Sequence, residues 1–393
     1  MIHIKDREMS LLSIYNTVII GAGFAGLTLA ERLASQQNQK VLVIEQRQHI
    51  GGNAYDCYDK HGVLIHQYGP HIFHTRSKEV WDYLSQFTDW HHYEHRVLAK
   101  VDGHEVPIPF NLNTIDQVLP SDLAARLKDK LVKLLGYNVK VPILKLREQD
   151  DEDLKFLANY VYEKIFLNYT MKQWGITPEQ LDPTVTGRVP VYISRDDRYF
   201  QDPYQGLPLR GYTEMFKKML NHPNIHLMLN TRYQDIVQIS QEGTTLFGQP
   251  FTGEVIYTGK IDELFNYQYG ELPYRSLRFE YDTYDQQYKQ LVGQLNSPNS
   301  YDYTRITEFK HLTGQKHPKT TLAREYPQSY VHGENIPYYP IIKEENQKKY
   351  KEYKKLADQL ERVHLVGRLA EYKYYDMDAV IATALKLYKK LAR

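Results

Sequence analysis

YNTVIIGAGFAGLTLAERL, residues 15–33, runs from a short β-branched segment through three glycines into apolar residues at helical spacing. Gly21-x-Gly23-x-x-Gly26 therefore lies between a strand and a helix, the setting this pattern needs in order to bind a dinucleotide. Gly21 permits the tight turn, Gly23 lets a pyrophosphate approach the backbone, and Gly26 lets the helix pack closely. The helix start at Phe24 and Ala25 offers N–H donors and the positive end of its dipole. Lys40-Val-Leu-Val-Ile-Glu45 reads as a second buried strand, so the first half-hundred residues are β-α-β with a parallel sheet. Glu45 ends that strand 24 residues after Gly21, placed to accept ribose hydroxyls, with Gln46 and Arg47 directly behind it.

The next segments favour FAD over a nicotinamide. Arg47 and the Gly51-Gly52-Asn53 turn form a second glycine-rich backbone loop near the same ligand. Far down the chain, Val363-His-Leu-Val-Gly367 is a strand ending in glycine, followed by Arg368. Asp376-Met377-Asp378 then opens a helix running to Leu391. That helix start can serve a second phosphate or the flavin ring. Taken alone it equally reads as an ordinary helix with a capping aspartate.

Composition narrows the class. The 393 residues suggest two or three domains, and 42% hydrophobic with 25% charged residues is ordinary for a soluble enzyme. Lys and Arg number 49 against 48 Asp and Glu, a net charge of +1, so no global field favours nucleic acid or an anionic membrane. An anionic substrate must then be held by a few placed arginines. Cys57 is the single cysteine, which excludes an internal disulfide and a cysteine-based metal site. No stretch reads as a signal peptide or membrane span, and the expectation is a cytoplasmic protein without membrane insertion. Tyrosine is abundant, 34 against 13 Phe, a side chain suited to stacking on and hydrogen-bonding a polar ligand, though most will be core-edge and surface residues.

Between residues 111 and 169 the apolar positions (Leu123, Leu127, Leu131; Leu154, Leu157, Val161, Ile165) recur at helical spacing. Residues 183–212 read as loop and short strands, and residues 253–282 and 300–339 as sheet. The expected fold is α/β: a discontinuous Rossmann-type FAD-binding domain (13–90, 208–262, 343–393), a helical insertion (108–167) and an antiparallel-sheet domain (91–107, 168–207, 263–342) lining the substrate cleft.

GAGFAG (21–26), GGNAYD (51–56), YGPHIFHT (68–75), NYTMKQWG (168–175), DDRYFQDPYQGLPLRGYT (196–213), YTRITEFKHLTG (303–314), NIPYYPI (335–341) and VGRLAEYKYYDMD (366–378) follow one another along the chain. In these strings the chain resembles the UDP-galactopyranose mutase family. The resemblance implies interconversion of UDP-galactopyranose and UDP-galactofuranose, with FAD active in its reduced form and NAD(P)H or a chemical reductant as electron source. N5 of the flavin displaces UDP from the anomeric carbon, and the flavin–sugar adduct opens and recloses before UDP returns. It also implies that Arg188, on a loop, and Arg305 contact the diphosphate, where a guanidinium fork can hold two oxygens. Tyr199, Tyr339 and Tyr374 are implied hydroxyl donors, and Tyr169 stacks on the uracil. Phe166, Thr170 and Trp174 lie around the nucleotide, while Phe200, Arg275 and Asn296 complete the substrate set. His74 lies beside the flavin with His71 and Ile72, and Asp376 near the sugar. A homodimer or larger homo-oligomer is expected.

Two local patterns have a plainer reading. Phe166, Tyr169, Thr170 and Trp174 make a helical stripe of the kind that is commonly core, and only the NYTMKQWG match favours a ligand face. His71 and His74, with His91, His92 and His95 downstream, could suggest a metal, but neither a cysteine ligand nor an H-E-x-x-H motif accompanies them, so none is expected. His95 stands where some family members carry Asn. Two rival functions share the glycine signature: an amine-oxidase-like or desaturase-like flavoprotein, which would need an apolar tunnel, and a non-catalytic flavin-bound sensor of redox state or UDP-sugars.

Overall fold

The computed structural model describes residues 14–175, 177 and 190–392. Its centre is a five-stranded parallel sheet in the order Ile225–Met228, Val41–Ile44, Thr17–Ile20, Glu254–Tyr257, Val363–Leu365. The first strands are buried on both faces, which is why they are continuous apolar runs. Helix Phe24–Gln37 packs on one face beside the C-terminal helix Met377–Leu391 and helix Tyr212–Leu220, and the shared core includes Leu27, Leu33, Phe216 and Ile381.

Helices Leu112–Val118, Ser121–Leu135, Ile143–Arg147 and Glu152–Val161 form the insertion. Asn111 and Asp151 cap two of them by accepting backbone N–H bonds, the local reason those helices begin there. The insertion's core also takes Val191 and Ile193, whose strand pairs with Val139–Val141, and the hairpin Val97–Val101/His104–Ile108 packs on it. Strand Val191–Ile193 thus belongs with the helices and not with the large sheet, where sequence had put it. The reason is its solid apolar pattern, which needs burial on both sides.

The large sheet has seven strands in the order Tyr339–Pro340, Tyr274–Tyr284, Thr320–Ser329, Arg305–Glu308, Gln294–Asn296, Val97–Val101, His104–Ile108. It is mixed, not purely antiparallel: Gln294–Asn296 runs parallel to Val97–Ala99. A further small sheet joins Tyr204–Pro208 to Phe73–Thr75 and Trp90–His92. Strand Tyr204–Pro208 accordingly packs beside the Rossmann half, another departure from the sequence boundaries.

Candidate active site

The carboxyl ends of the parallel strands, the seven-stranded sheet and helix Asn168–Trp174 line a cavity of about 1190 Å³. On the Rossmann side Gly23 is the N-cap of helix Phe24–Gln37, extended and without a side chain to obstruct the helix start. Gly21 needs its positive φ of 105°, and a Cβ there would sit 2.0 Å from Thr258 Oγ1. Gly26 does not reach the cavity. A Cβ on it would meet Gly21 O at 2.0 Å, so its task is close packing of helix on strand. The second loop folds onto the first: Gly51 N donates to Ala22 O at 2.7 Å, and Gly23 and Gly52 approach so closely that a Cβ on Gly52 would lie 3.1 Å from Gly23 Cα.

Glu45 is buried, and each oxygen takes one backbone donor: Oε2 from Ala22 N and Oε1 from Arg47 N, both at 2.9 Å. The carboxylate therefore holds the loop in place and keeps further lone pairs for hydroxyls. Arg47 Nη2 donates to Asn53 Oδ1 at 2.9 Å and the guanidinium lies 4.6 Å over the Tyr68 ring, while its buried Nη1 has no hydrogen-bond partner. An orphaned guanidinium nitrogen beside two bare glycine loops and a helix N-terminus fits the pyrophosphate of a dinucleotide. Ala25, Gln46 and Ile72 also line the cavity, as do Gly367, Arg368 and Met377 at its C-terminal wall. Asp376 is the N-cap residue of the C-terminal helix, extended, with its side chain not engaged as the cap.

On the opposite side Arg305 pairs with the fully buried Glu325, Nε at 2.8 Å and Nη2 at 2.7 Å from Oε2. Burial works against its charge, but Glu325, Tyr169 and Tyr339 together hold its pKa well above the ordinary value. Trp174, Tyr339 and Tyr374 form a three-ring box with centroids 5.4–5.9 Å apart, and Arg368 lies 5.5 Å over the Tyr339 ring. Burial raises the Tyr169 and Tyr339 pKa, so both stay protonated donors. His74 stacks on Phe200 at 3.6 Å, and its Nδ1 lies 2.7 Å from Asp202 Oδ2. Partial burial opposes the Asp202 charge, but contacts with Arg76 and His74 hold its pKa below the usual range. Tyr199 packs edge-on against Phe200, and both line the cavity. Burial presses His71 and His95 down to about 3, with Arg305 adding to the effect, so both rings are neutral.

Four expected substrate residues are placed elsewhere. Phe166 is buried in the core of the helical insertion, and the π-helical turn Tyr162–Leu167 takes it off the face that carries Tyr169. Thr170 is buried and does not line the cavity. Arg275 has its donors committed to Gln173 O, Lys172 O and Ser329 Oγ. Asn296 is buried and accepts from Gln294 Nε2, so that Gln294 lines the cavity instead. Arg188 lies outside the described residues. Sequence reasoning missed Gln173, one turn after Tyr169, whose buried Oε1 has no partner. Its position four residues on within NYTMKQWG was the available signal. Among the described residues no group of three or more His, Cys, Asp or Glu is arranged to hold a metal, and no helix is long and apolar enough to cross a membrane.

A family model described as "UDP-galactopyranose mutase" matches residues 164–374, and one for an NAD(P)-binding Rossmann-like domain matches residues 19–87. The chain is 37% identical over 374 residues to a probable UDP-galactopyranose mutase of Klebsiella pneumoniae, covering 94% of this chain and 93% of that one. It is 35% identical over 385 residues to the UDP-galactopyranose mutase of Mycoplasma pneumoniae, covering 96% of each. A dTDP-fucopyranose mutase of Escherichia coli is also 35% identical, over 373 residues, covering 94% of this chain and 96% of that one. In fold the chain is similar to the crystal structure of reduced UDP-galactopyranose mutase, with a TM-score of 0.72 at 16% identity, covering 96% and 94% of the two chains. Putrescine oxidase is more distant, with a TM-score of 0.60 at 12% identity. With near full-length relatives above 30% identity and a family model over more than half its length, the chain belongs to the UDP-galactopyranose mutase family of isomerases.

Proposed function

We propose that this chain interconverts UDP-galactopyranose and UDP-galactofuranose with reduced FAD held in the glycine cradle. The observation that carries this reading is that one cavity joins the cradle to the Arg305, Tyr169 and Trp174 side, so dinucleotide and nucleotide sugar can meet inside it. When bound, reduced flavin would supply the nucleophilic chemistry at the anomeric carbon. The protein's task is then to bind, orient and balance charge. Arg305, with Arg188, holds the departing diphosphate so that it stays for the return step. Tyr169 stacks on the base. Tyr199, Tyr339 and Tyr374 donate to phosphate or sugar oxygens, and Tyr339, whose pKa burial raises, stays a donor across the working pH range. His74, fixed by Asp202, lies against the flavin with His71, and Asp376 faces the sugar.

The test is redox dependence. Oxidised protein should be nearly inactive, and dithionite or NAD(P)H should switch it on without being consumed stoichiometrically. Equal turnover by the oxidised form would overturn the flavin reading. Since one relative is named a dTDP-fucopyranose mutase, the assay includes dTDP-fucopyranose beside UDP-galactopyranose. Preference for the deoxy substrate would move the assignment to that sugar nucleotide.

A further inference from the structure

Away from the aromatic box the cavity has a second arm, built around a buried ammonium. Lys260 is 5% exposed and follows the strand Glu254–Tyr257. Its Nζ donates to Tyr330 Oη at 2.7 Å and Tyr267 Oη at 3.0 Å, and lies 3.4 Å from His332 Nδ1 and 3.6 Å from Glu263. Both tyrosine rings also lie about 5 Å from the charge. Burial opposes this charge, and the two hydroxyls with Glu263 more than offset it. A lysine so deeply placed is costly unless it is paired and hydrogen-bonded, and here its bonds also tie separate segments together.

What they fix is a loop. Residues 330–337 follow the strand Thr320–Ser329 of the large sheet, and most of them line the cavity. The loop folds on itself: Val331 N donates to Asn335 Oδ1 at 2.9 Å, and Asn335 Nδ2 to Ser329 O at 3.0 Å. Its bonds to Lys260 run from the large sheet to the Rossmann half. The wall beneath it continues from Glu45. Thr231 N donates to Glu45 O at 3.0 Å, and Tyr233 meets Tyr257 edge-on at 5.4 Å, just before Lys260. With the pyrophosphate at the glycine loops and ribose hydroxyls at Glu45, this arm is where the nucleoside end of the dinucleotide must extend.

We propose that Lys260 is a positioning residue that clasps residues 330–337 over the adenosine end of the dinucleotide, so that the Lys260–Tyr330 bond sets how tightly the cofactor is retained. The inference rests on the reading of the cradle as an FAD site. The experiment titrates deflavinated protein with FAD and, separately, with ADP, which carries the adenosine end but no flavin. Lys260→Met should raise the Kd for FAD at least about tenfold, one decade of affinity, and that for ADP in proportion. Tyr330→Phe keeps the ring against Tyr274 at 5.8 Å and removes only the hydroxyl, so it should give a smaller loss in the same direction with an unchanged melting temperature of the cofactor-free protein. If Lys260→Met does not fold, Tyr330→Phe alone decides. Wild-type affinity in the folded variants overturns the clasp, and so does weakened FAD binding with ADP binding intact. A wild type that binds no FAD would overturn the cofactor reading and the clasp together.

Discussion

Glu325 grips Arg305 through a single oxygen: Nε and Nη2 converge on Oε2 at 2.8 and 2.7 Å, and neither contact uses Nη1. The two residues face each other on neighbouring strands, and Glu325 Oε1 is turned to Thr304 Oγ1 at 3.4 Å. The carboxylate thus fixes one edge of the guanidinium and leaves Nη1 for a ligand in the cavity.

Replacing Arg305 by Ala should lower turnover at least about tenfold, because a charge-assisted bond contributes about 1.5–3 kcal/mol and about 1.4 kcal/mol is a decade in rate. Lysine should restore only part of it, since an ammonium cannot be held at one edge and donate from another. Glu325→Gln should also lower turnover, although its side chain is behind the arginine. Steady-state kinetics of the three variants, with Arg188→Ala beside them, check this. Wild-type turnover in Arg305→Ala would remove the diphosphate role.

A different pair of variants separates cofactor binding from folding. At Gly23 a Cβ meets nothing closer than Gly52 Cα at 3.8 Å, so the fold should accept Gly23→Val while the added side chain fills the pyrophosphate cradle. The purified protein should be folded and colourless. At Gly26 the added Cβ would lie 2.0 Å from a backbone oxygen, so Gly26→Val should fail to accumulate as folded protein. Absorbance and circular dichroism distinguish the two outcomes, and a yellow Gly23→Val would mean the pyrophosphate lies elsewhere.

Acid should destabilise the protein through its buried histidines. His66 and His95, 1% and 2% exposed, have pKa values pressed from 6.5 to about 3, by burial first and, for His95, by Arg305 as well. The unfolded chain binds those protons near pH 6.5 and the folded chain does not. Their stabilising contribution is therefore fully present above pH 6.5 and is lost as the pH falls toward 3. Melting temperature should drop steadily between pH 7 and pH 5, and less steeply in His95→Asn. An unchanged slope in that variant would show that His95 takes up no protons on unfolding.

The Rossmann half was legible because its signals are local: β-branched runs, the glycines between Ile20 and Phe24, and a carboxylate at the end of the second strand. The substrate half was legible chiefly through longer motifs, and there sequence erred where one residue's role depends on distant packing. Helical periodicity put Phe166 and Tyr169 on one stripe, yet Phe166 lies in a π-helical turn that ends at Leu167 and changes the phase. The strand Val191–Ile193 was assigned by neighbourhood, while its partner, Val139–Val141, lies some fifty residues away in sequence. Lys260 lay unmarked within residues 253–282, read as sheet, since nothing local announces that Tyr330 and His332 will close around it.

Arg275 is the clearest case, because an arginine in a cleft invites assignment to a phosphate. Its Nε and Nη2 instead donate to Gln173 O at 2.9 Å and Lys172 O at 3.2 Å, the last carbonyls of the helix that carries Tyr169 and Trp174. Such carbonyls lack intrahelical partners, and a basic side chain is one of the standard ways to satisfy them. Gly175 ends the helix at φ 71°, where a Cβ would lie 3.2 Å from Arg275 Nη1. The arginine is 8% exposed, and burial lowers its pKa. Arg275→Ala should therefore cost about 1.5–3 kcal/mol of stability and lower the melting temperature by a few degrees. Its kinetic effect should fall on KM, because a loosened helix end misplaces the Tyr169 ring and the Trp174 indole before any chemistry occurs. Arg305→Ala should show the reverse kinetic balance, a loss in kcat, and should also lower the melting temperature, because it leaves the buried Glu325 without its partner. If Arg275→Ala instead lowered kcat at unchanged KM and unchanged melting temperature, its guanidinium would be acting on the diphosphate, and the helix-capping role would be wrong.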